Sequence, residues 1–203
     1  DELRSDAQIA AHGNRLWADP RARETTTRFA HEWLRLGRLA GLQKDRTAYP
    51  RWGERTPDLL AREVEVTVEH AVWDERAAGL AAMFTSGDAY VNEELARFYA
   101  LSGPTGTAFV HSKARTDRAG LHTLAGLLAI NAGPDQSSPV LRGQFVRERL
   151  LCDRLPSPPP TVNNNQPPVT ATTTTRQRSD AHARDPSCAG CHRLMDPIGF
   201  GFE

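Results

Sequence analysis

Close to the end of a 203-residue chain, Cys188, Cys191 and His192 spell C-x-x-C-H. This short run constrains the chain more than any other feature, because its spacing matches one particular chemistry. Two thiols three residues apart reach the two vinyl groups on one edge of a porphyrin and become thioethers. The next side chain, an imidazole, is then held under the iron as its proximal ligand. The signal is specific here, since the chain has three cysteines and two of them fall in register with a histidine.

Three other chemistries use parts of the same run. A redox dithiol usually opens a helix after a strand in a βαβ unit, whereas a polar, Thr-rich, Pro-marked segment precedes Cys188. A tetrahedral zinc site asks for four ligands, typically as two separated pairs. Cys191 beside His192 is awkward for one such ion, and no second C-x-x-C or H-x-x-H follows. A disulfide between Cys188 and Cys191 would close a very small loop. The spacing favours covalent haem c over these three, with Cys188 and Cys191 as attachment points and His192 as the proximal iron ligand. The remaining cysteine, Cys152, sits in an apolar run and is expected to be a buried small hydrophobe.

Composition narrows the partners. Basic and acidic residues balance at 25 each, so no nucleic-acid or anionic-membrane footprint stands out. No apolar run approaches the ~20 residues of a membrane span; the best candidate, Leu124 to Ala132, is far too short. The chain opens at Asp1 with neither methionine nor a signal peptide, which reads as a mature or trimmed product, and its end at Glu203 reads as an interrupted sequence.

Cap chemistry and apolar spacing predict helices along most of the length. Ser5-Asp6 starts one that runs to about Trp17, and Pro20 starts a second. Phe29, Trp33, Leu36 and Ala40 are expected to form its core-facing stripe, ending at Gly41. Tyr49 and Trp52 anchor a polar loop over 42–55. Thr56-Pro57-Asp58 reads as an N-cap followed by a first-turn proline. The stretch beyond it alternates like a strand, but Leu60, Val64, Thr67 and Ala71 also form a helical stripe, and the capped start favours helix. Short helices are expected over Ala78–Phe84 and from Asn92, and an apolar buried segment over Gly120–Ala132. Ser138-Pro139 opens a helix from Val140 to about Cys152, with Arg142, Arg147 and Arg149 on its solvated face. A polyproline run from Pro156 and an Asn- and Thr-rich stretch follow as a linker, with order resuming near Arg176. The expected fold class is all-α: an irregular helical domain over 1–135, then 136–203 with a helix, a Pro/Thr-rich connection and a small c-type haem-binding segment.

Nearly the whole chain resembles the paired domains of unknown function found beside planctomycete-type cytochrome c domains in large secreted bacterial proteins. The resemblance rests on Phe29-x-x-x-Trp33-Leu34, on Val91-Asn92-Glu93-x-Leu95-Ala96-x-x-Tyr99 and on Gly120-Leu121 before an apolar run. It continues through Ser138-Pro139-Val140-x-Arg142-Gly143-x-x-Val146, Leu150-Leu151-Cys152 and the polyproline run. It closes on His182-x-x-x-Pro186-x-Cys188-x-x-Cys191-His192-x-x-Met195-Asp196-Pro197-x-Gly199-Phe200. The linker here is richer in Thr and Asn than usual, and the family's aromatic-acidic continuation after Glu203 is absent. The resemblance implies a mostly helical, exported, multidomain protein that handles electrons, with a periplasmic or otherwise extracytoplasmic location.

The sixth iron position has two candidates within the chain, with an open position or a ligand from another domain equally allowed. Met195 lies three residues beyond His192, a tether of at most about 10 Å. It would have to round the porphyrin edge, so Met195 is expected to lie against that edge instead. Asp196-Pro197-Ile198-Gly199-Phe200 is expected to form a turn closing the pocket. His182 has a longer tether and matches a histidine of the family pattern, which makes it the candidate distal ligand. The function favoured is an electron-transfer module of a larger exported protein, with a redox partner protein or other domains of the parent chain as its partners. A haem-dependent oxidase or peroxidase and an interaction scaffold with ancillary haem or zinc are the alternatives, so whether the chain is an enzyme stays open. The histidines at 12, 31, 70, 111 and 122 are scattered singly and supply no distal acid-base pair.

Overall fold

A computed structural model describes residues 3–74, 79–113, 118–156, 170 and 172–202, and these are mostly helical. In chain order they form α1 (Asp6–Trp17), α2 (Pro20–Trp33), α3 (Thr56–Trp73), α4 (Gly79–Thr85), β1 (Asp88–Val91), α5 (Glu93–Tyr99), β2 (Val110–Lys113), α6 (Ala125–Ile130), α7 (Pro139–Phe145), α8 (Thr175–His182) and α9 (Pro186–Phe200). β1 and β2 pair antiparallel, with Asp88 opposite Lys113 and Val91 opposite Val110. This two-stranded sheet is an addition to the expected all-α class. Among the described residues no helix is long and apolar enough to cross a membrane.

Helix starts follow side-chain caps. Ser5 and Gln8 form a reciprocal capping box at α1. Asp19, Asn92 and Ser138 cap α2, α5 and α7 through the backbone amides of Arg21, Leu95 and Leu141. At α3 the cap position falls on Arg55, one residue earlier than expected. Thr56 is already helical and its Oγ1 accepts the Gly53 amide at 2.9 Å, tying down the loop behind it.

The core is built on α3. Leu60, Val64, Val68 and Ala71 are buried along one face, so the alternating stretch is helix. Gly126 of α6 lies against that face, where a Cβ would meet the Leu60 carbonyl oxygen at 3.1 Å. Leu121, Leu124, Leu127, Ile130 and Phe145 complete one continuous apolar cluster with Ala30, Leu34, Leu36 and Leu39. Of the stripe expected through Phe29, Trp33, Leu36 and Ala40, Leu36 is buried and Trp33 packs against the core, whereas Phe29 is 62 % exposed and Ala40 is exposed, with Ala30 and Leu34 buried in addition. α2 stops at Trp33, Arg35 turns left-handed at φ 57°, and a 3-10 turn spans Leu36–Arg38, which breaks the helical period. Trp33 also donates Nε1–H to the Arg149 carbonyl at 2.7 Å. Trp52 is buried and Tyr49 packs on the core, as the loop reading expects.

The helix expected to reach Cys152 is α-helical only to Phe145. It then widens into a π turn over Val146–Leu150, with Leu151 N–H bonded back to the Val146 carbonyl. Cys152 leaves that turn at φ 57° and is exposed, so it is not a core residue. Arg142 is likewise buried, although a solvated arginine is expected there. Its Nη1 donates to the Phe202 carbonyl at 2.7 Å, just past the end of α9. Two further cations serve helix C-termini in the same way. Lys44 binds the Ala132 and Gly133 carbonyls beyond α6, and Arg51 binds the Phe98 carbonyl in α5. The polyproline and Asn-rich stretch over 157–169 lies outside the described residues. α8 begins at Thr175, where Thr174 and Gln177 form a second capping box.

Candidate functional site

α9 carries the C-x-x-C-H run. Its start is set by Asp185, whose carboxylate accepts the Ser187 amide at 2.8 Å, with Pro186 in the first turn. The Ser187 hydroxyl also donates to Asp185, and these hydrogen bonds hold the Asp185 carboxyl below the usual range. Once the segment is helical, positions 188, 191 and 192 stand at i, i+3 and i+4 and share one face.

The helix does not stop where a turn is expected. It runs through Pro197 to Phe200. An interior proline costs about 3 kcal/mol or more, because it removes an N–H and crowds the carbonyl four residues back. Docking on α7 offsets that cost. Gly199 lets α9 settle on Pro139, where any Cβ would collide with the Pro139 carbonyl, and Gly143 makes the same close approach to the Met195 backbone. Near the proline, the Leu194 carbonyl accepts Arg147 Nε–H at 2.8 Å. Met195 is therefore buried at the α7–α9 seam.

Cys188 and His192 are buried, Cys191 is half-buried, and both thiols are free. His192 Nδ1 lies 2.9 Å from Asp196 Oδ2, and the Ser179 hydroxyl of α8 donates to the same oxygen at 2.7 Å. Asp196 Oδ1 is buried without a hydrogen-bond partner among the described residues. Since a carboxylate only accepts, Nδ1 is the ring nitrogen that carries hydrogen in this contact, and Nε2 remains for another partner. His182, at the end of α8, faces His192 with ring centroids 4.9 Å apart and planes at 65°.

The structure brings His182 and His192 together at the α8–α9 contact, and Cys188 and Cys191 stand on the same helix as His192. It also adds two that sequence reasoning passed over. Asp196 was assigned to a turn; its signal was the i, i+4 spacing from His192, hidden by the expectation that Pro197 ends the helix. Ser179 had no sequence signal. The scattered histidines stay apart from this cluster: His70 pairs with Asp74 and His111 with Asp88, while the His122 ring meets Phe202.

The donor set suits thioether-linked haem. Two unbridged thiols and an imidazole share one helix face, with Nδ1 already engaged and no hydrogen bond made by Nε2 among the described residues. A Cβ added at Gly190 would meet nothing within 4 Å, and at 100° per residue that open side of α9 is the one turned away from the buried Cys188 and His192. Among the described residues no three His, Cys, Asp or Glu side chains converge as a ready-made ion cage.

No curated protein and no solved structure matches the chain. Residues 1–101 match the family model PSD4, a protein of unknown function (DUF1592), and residues 118–203 match PSCyt3, a protein of unknown function (DUF1588). The chain thus joins a PSD4-like segment, running from α1 through α5, to a PSCyt3-like segment that holds α6 to α9 and the C-x-x-C-H helix.

Proposed function

We propose that α9 carries a covalent c-type haem and that the chain is an electron-transfer module of a larger exported protein. The observation that carries this reading is the C-x-x-C-H run on a single helical face, with free thiols and an unengaged His192 Nε2. The names of the matching family models, which are linked to planctomycete cytochrome c-type domains, support it. Cys188 and Cys191 would hold the group, and His192 would bind its iron. Haem supplies a reversible one-electron couple. The chain's own residues hold the attachment helix against α7, bury Cys188 and His192, and keep Cys191 nearer the surface. An extracytoplasmic location belongs to the same reading, as does transfer of electrons to a partner protein or neighbouring domain.

The test is an intact mass after export through a bacterial haem-attachment system. The mass should exceed the polypeptide by one haem that survives acid-acetone extraction, and Cys188→Ser with Cys191→Ser should remove the excess. A bare polypeptide mass from the parent overturns the reading. His182 is kept as the candidate for the sixth position. Its ring touches that of His192, so taking that position requires it to withdraw. A change from low to high spin in His182→Ala assigns it, and an unchanged spectrum assigns the position elsewhere.

A further inference from the structure

Asp196 has an arrangement that packing alone does not explain. It is a buried carboxylate with one oxygen shared between two donors and the other without a partner among the described residues. An unpartnered buried carboxylate oxygen costs stability, and a hydrophobic residue would fill this helix position more cheaply. What the carboxylate does achieve is orientation. Oδ2 takes the His192 Nδ1–H, and Ser179 on the neighbouring helix holds that same oxygen in place. The i, i+4 spacing on α9 makes the contact intrinsic to the helix, and the helix exists there only because it continues past Pro197.

Metal-bound histidines are held in this way by a carboxylate on the second ring nitrogen, which fixes the tautomer and makes the imidazole a stronger donor. We propose that Asp196, steadied by Ser179, is the positioning residue for His192 as an iron ligand, directing Nε2 to the metal and enriching the ring in electron density. This rests on the haem reading above. A more electron-rich axial ligand favours the ferric over the ferrous state, so the carboxylate lowers the reduction potential of the bound group.

The experiment is redox titration of the full haem-loaded chain by visible absorption, after its mass has shown covalent haem. Asp196→Asn keeps the side-chain volume and removes the charge. It should shift the ferric–ferrous equilibrium toward ferrous by tenfold or more, which is 59 mV per tenfold for a one-electron couple. Ser179→Ala leaves the carboxylate but frees it to rotate, and should move the potential the same way by less. Asp6→Asn is the charge control. It removes an exposed carboxylate in the first turn of α1, outside the α8–α9 pair; its potential should match the parent. If Asp196→Asn titrates like the parent, or if Asp6→Asn shifts as far, the positioning role is overturned while the haem stands. If Asp196→Asn does not accumulate folded, Ser179→Ala decides, and an unmoved potential there overturns the proposal. Absence of covalent haem in the parent is a different result, which removes the haem reading itself.

Discussion

Glu63 is the residue whose chemistry is most at odds with its place. It sits on the core face of α3, fully buried, with Oε2 accepting the Tyr99 hydroxyl at 2.6 Å and Oε1 without a partner among the described residues. Burial pushes its carboxyl up to about 8, against opposing effects of the Tyr99 hydrogen bond and the Arg118 charge. The folded chain therefore holds a proton that an unfolded one releases near the ordinary value of 4.5. Where the folded state binds more protons, stability falls as pH rises. Unfolding in urea should show the parent losing stability across pH 4.5 to 8, on the order of a few kcal/mol, and levelling above that window. Glu63→Gln removes the titrating group and should flatten the profile. An unchanged slope in Glu63→Gln would assign the pH dependence to other groups.

At the scale of elements, the α7–α9 seam decides whether the C-x-x-C-H helix exists in its present form. Gly143 and Gly199 let two backbones meet, and the Arg142 and Arg147 guanidinium groups bind carbonyls along and beyond α9. Gly199→Ala places a Cβ on the Pro139 carbonyl, which is backbone and cannot swing aside. It should destabilise by about 1–3 kcal/mol, the range for overpacked interiors. Gly190→Ala, on the same helix but in open space, should stabilise by up to about 1 kcal/mol through helix propensity alone. Thermal melts of the two variants should move in opposite directions. Equal shifts would mean that the seam is not a rigid backbone contact. The two mutations are the same in sequence terms, and only the neighbour met by the new methyl group separates them.

For the whole molecule, two family segments share one core. The α3 face that buries Leu60 and Val64 lies in the first segment, and Gly126 and Leu127, which cover it, lie in the second. Trp33 to Arg149 is a further bond between them. A chain of residues 1–117 should therefore lack a cooperative thermal transition and should bind a hydrophobic dye, as partly packed states do. A sharp, dye-free melt of that fragment would show that the first segment has a sufficient core of its own.

The legible part of this protein was local. Cap residues announced helix starts because a side chain two or three positions away satisfies an orphan amide, and that is a property of neighbours in the chain. The C-x-x-C-H spacing was legible for the same reason, since helical periodicity alone puts the three side chains on one face. Long-range contacts decided the rest. The expected stripe holds at Trp33 and Leu36 but not at Ala40, beyond the left-handed turn at Arg35 that breaks the period, and the short sheet escaped because its strands pair across α5. Arg142 is buried because a carbonyl sixty residues away accepts its proton. Pro197 reads as a helix end by every local rule, yet α9 passes through it because glycines on two helices allow close docking. That tertiary decision is what carries Asp196 round to His192. Spacing along the chain picks out which residues are candidates for cofactor chemistry. The tertiary structure determined how the histidine is held, because hydrogen bonds between distant residues depend on packing that local propensity does not encode.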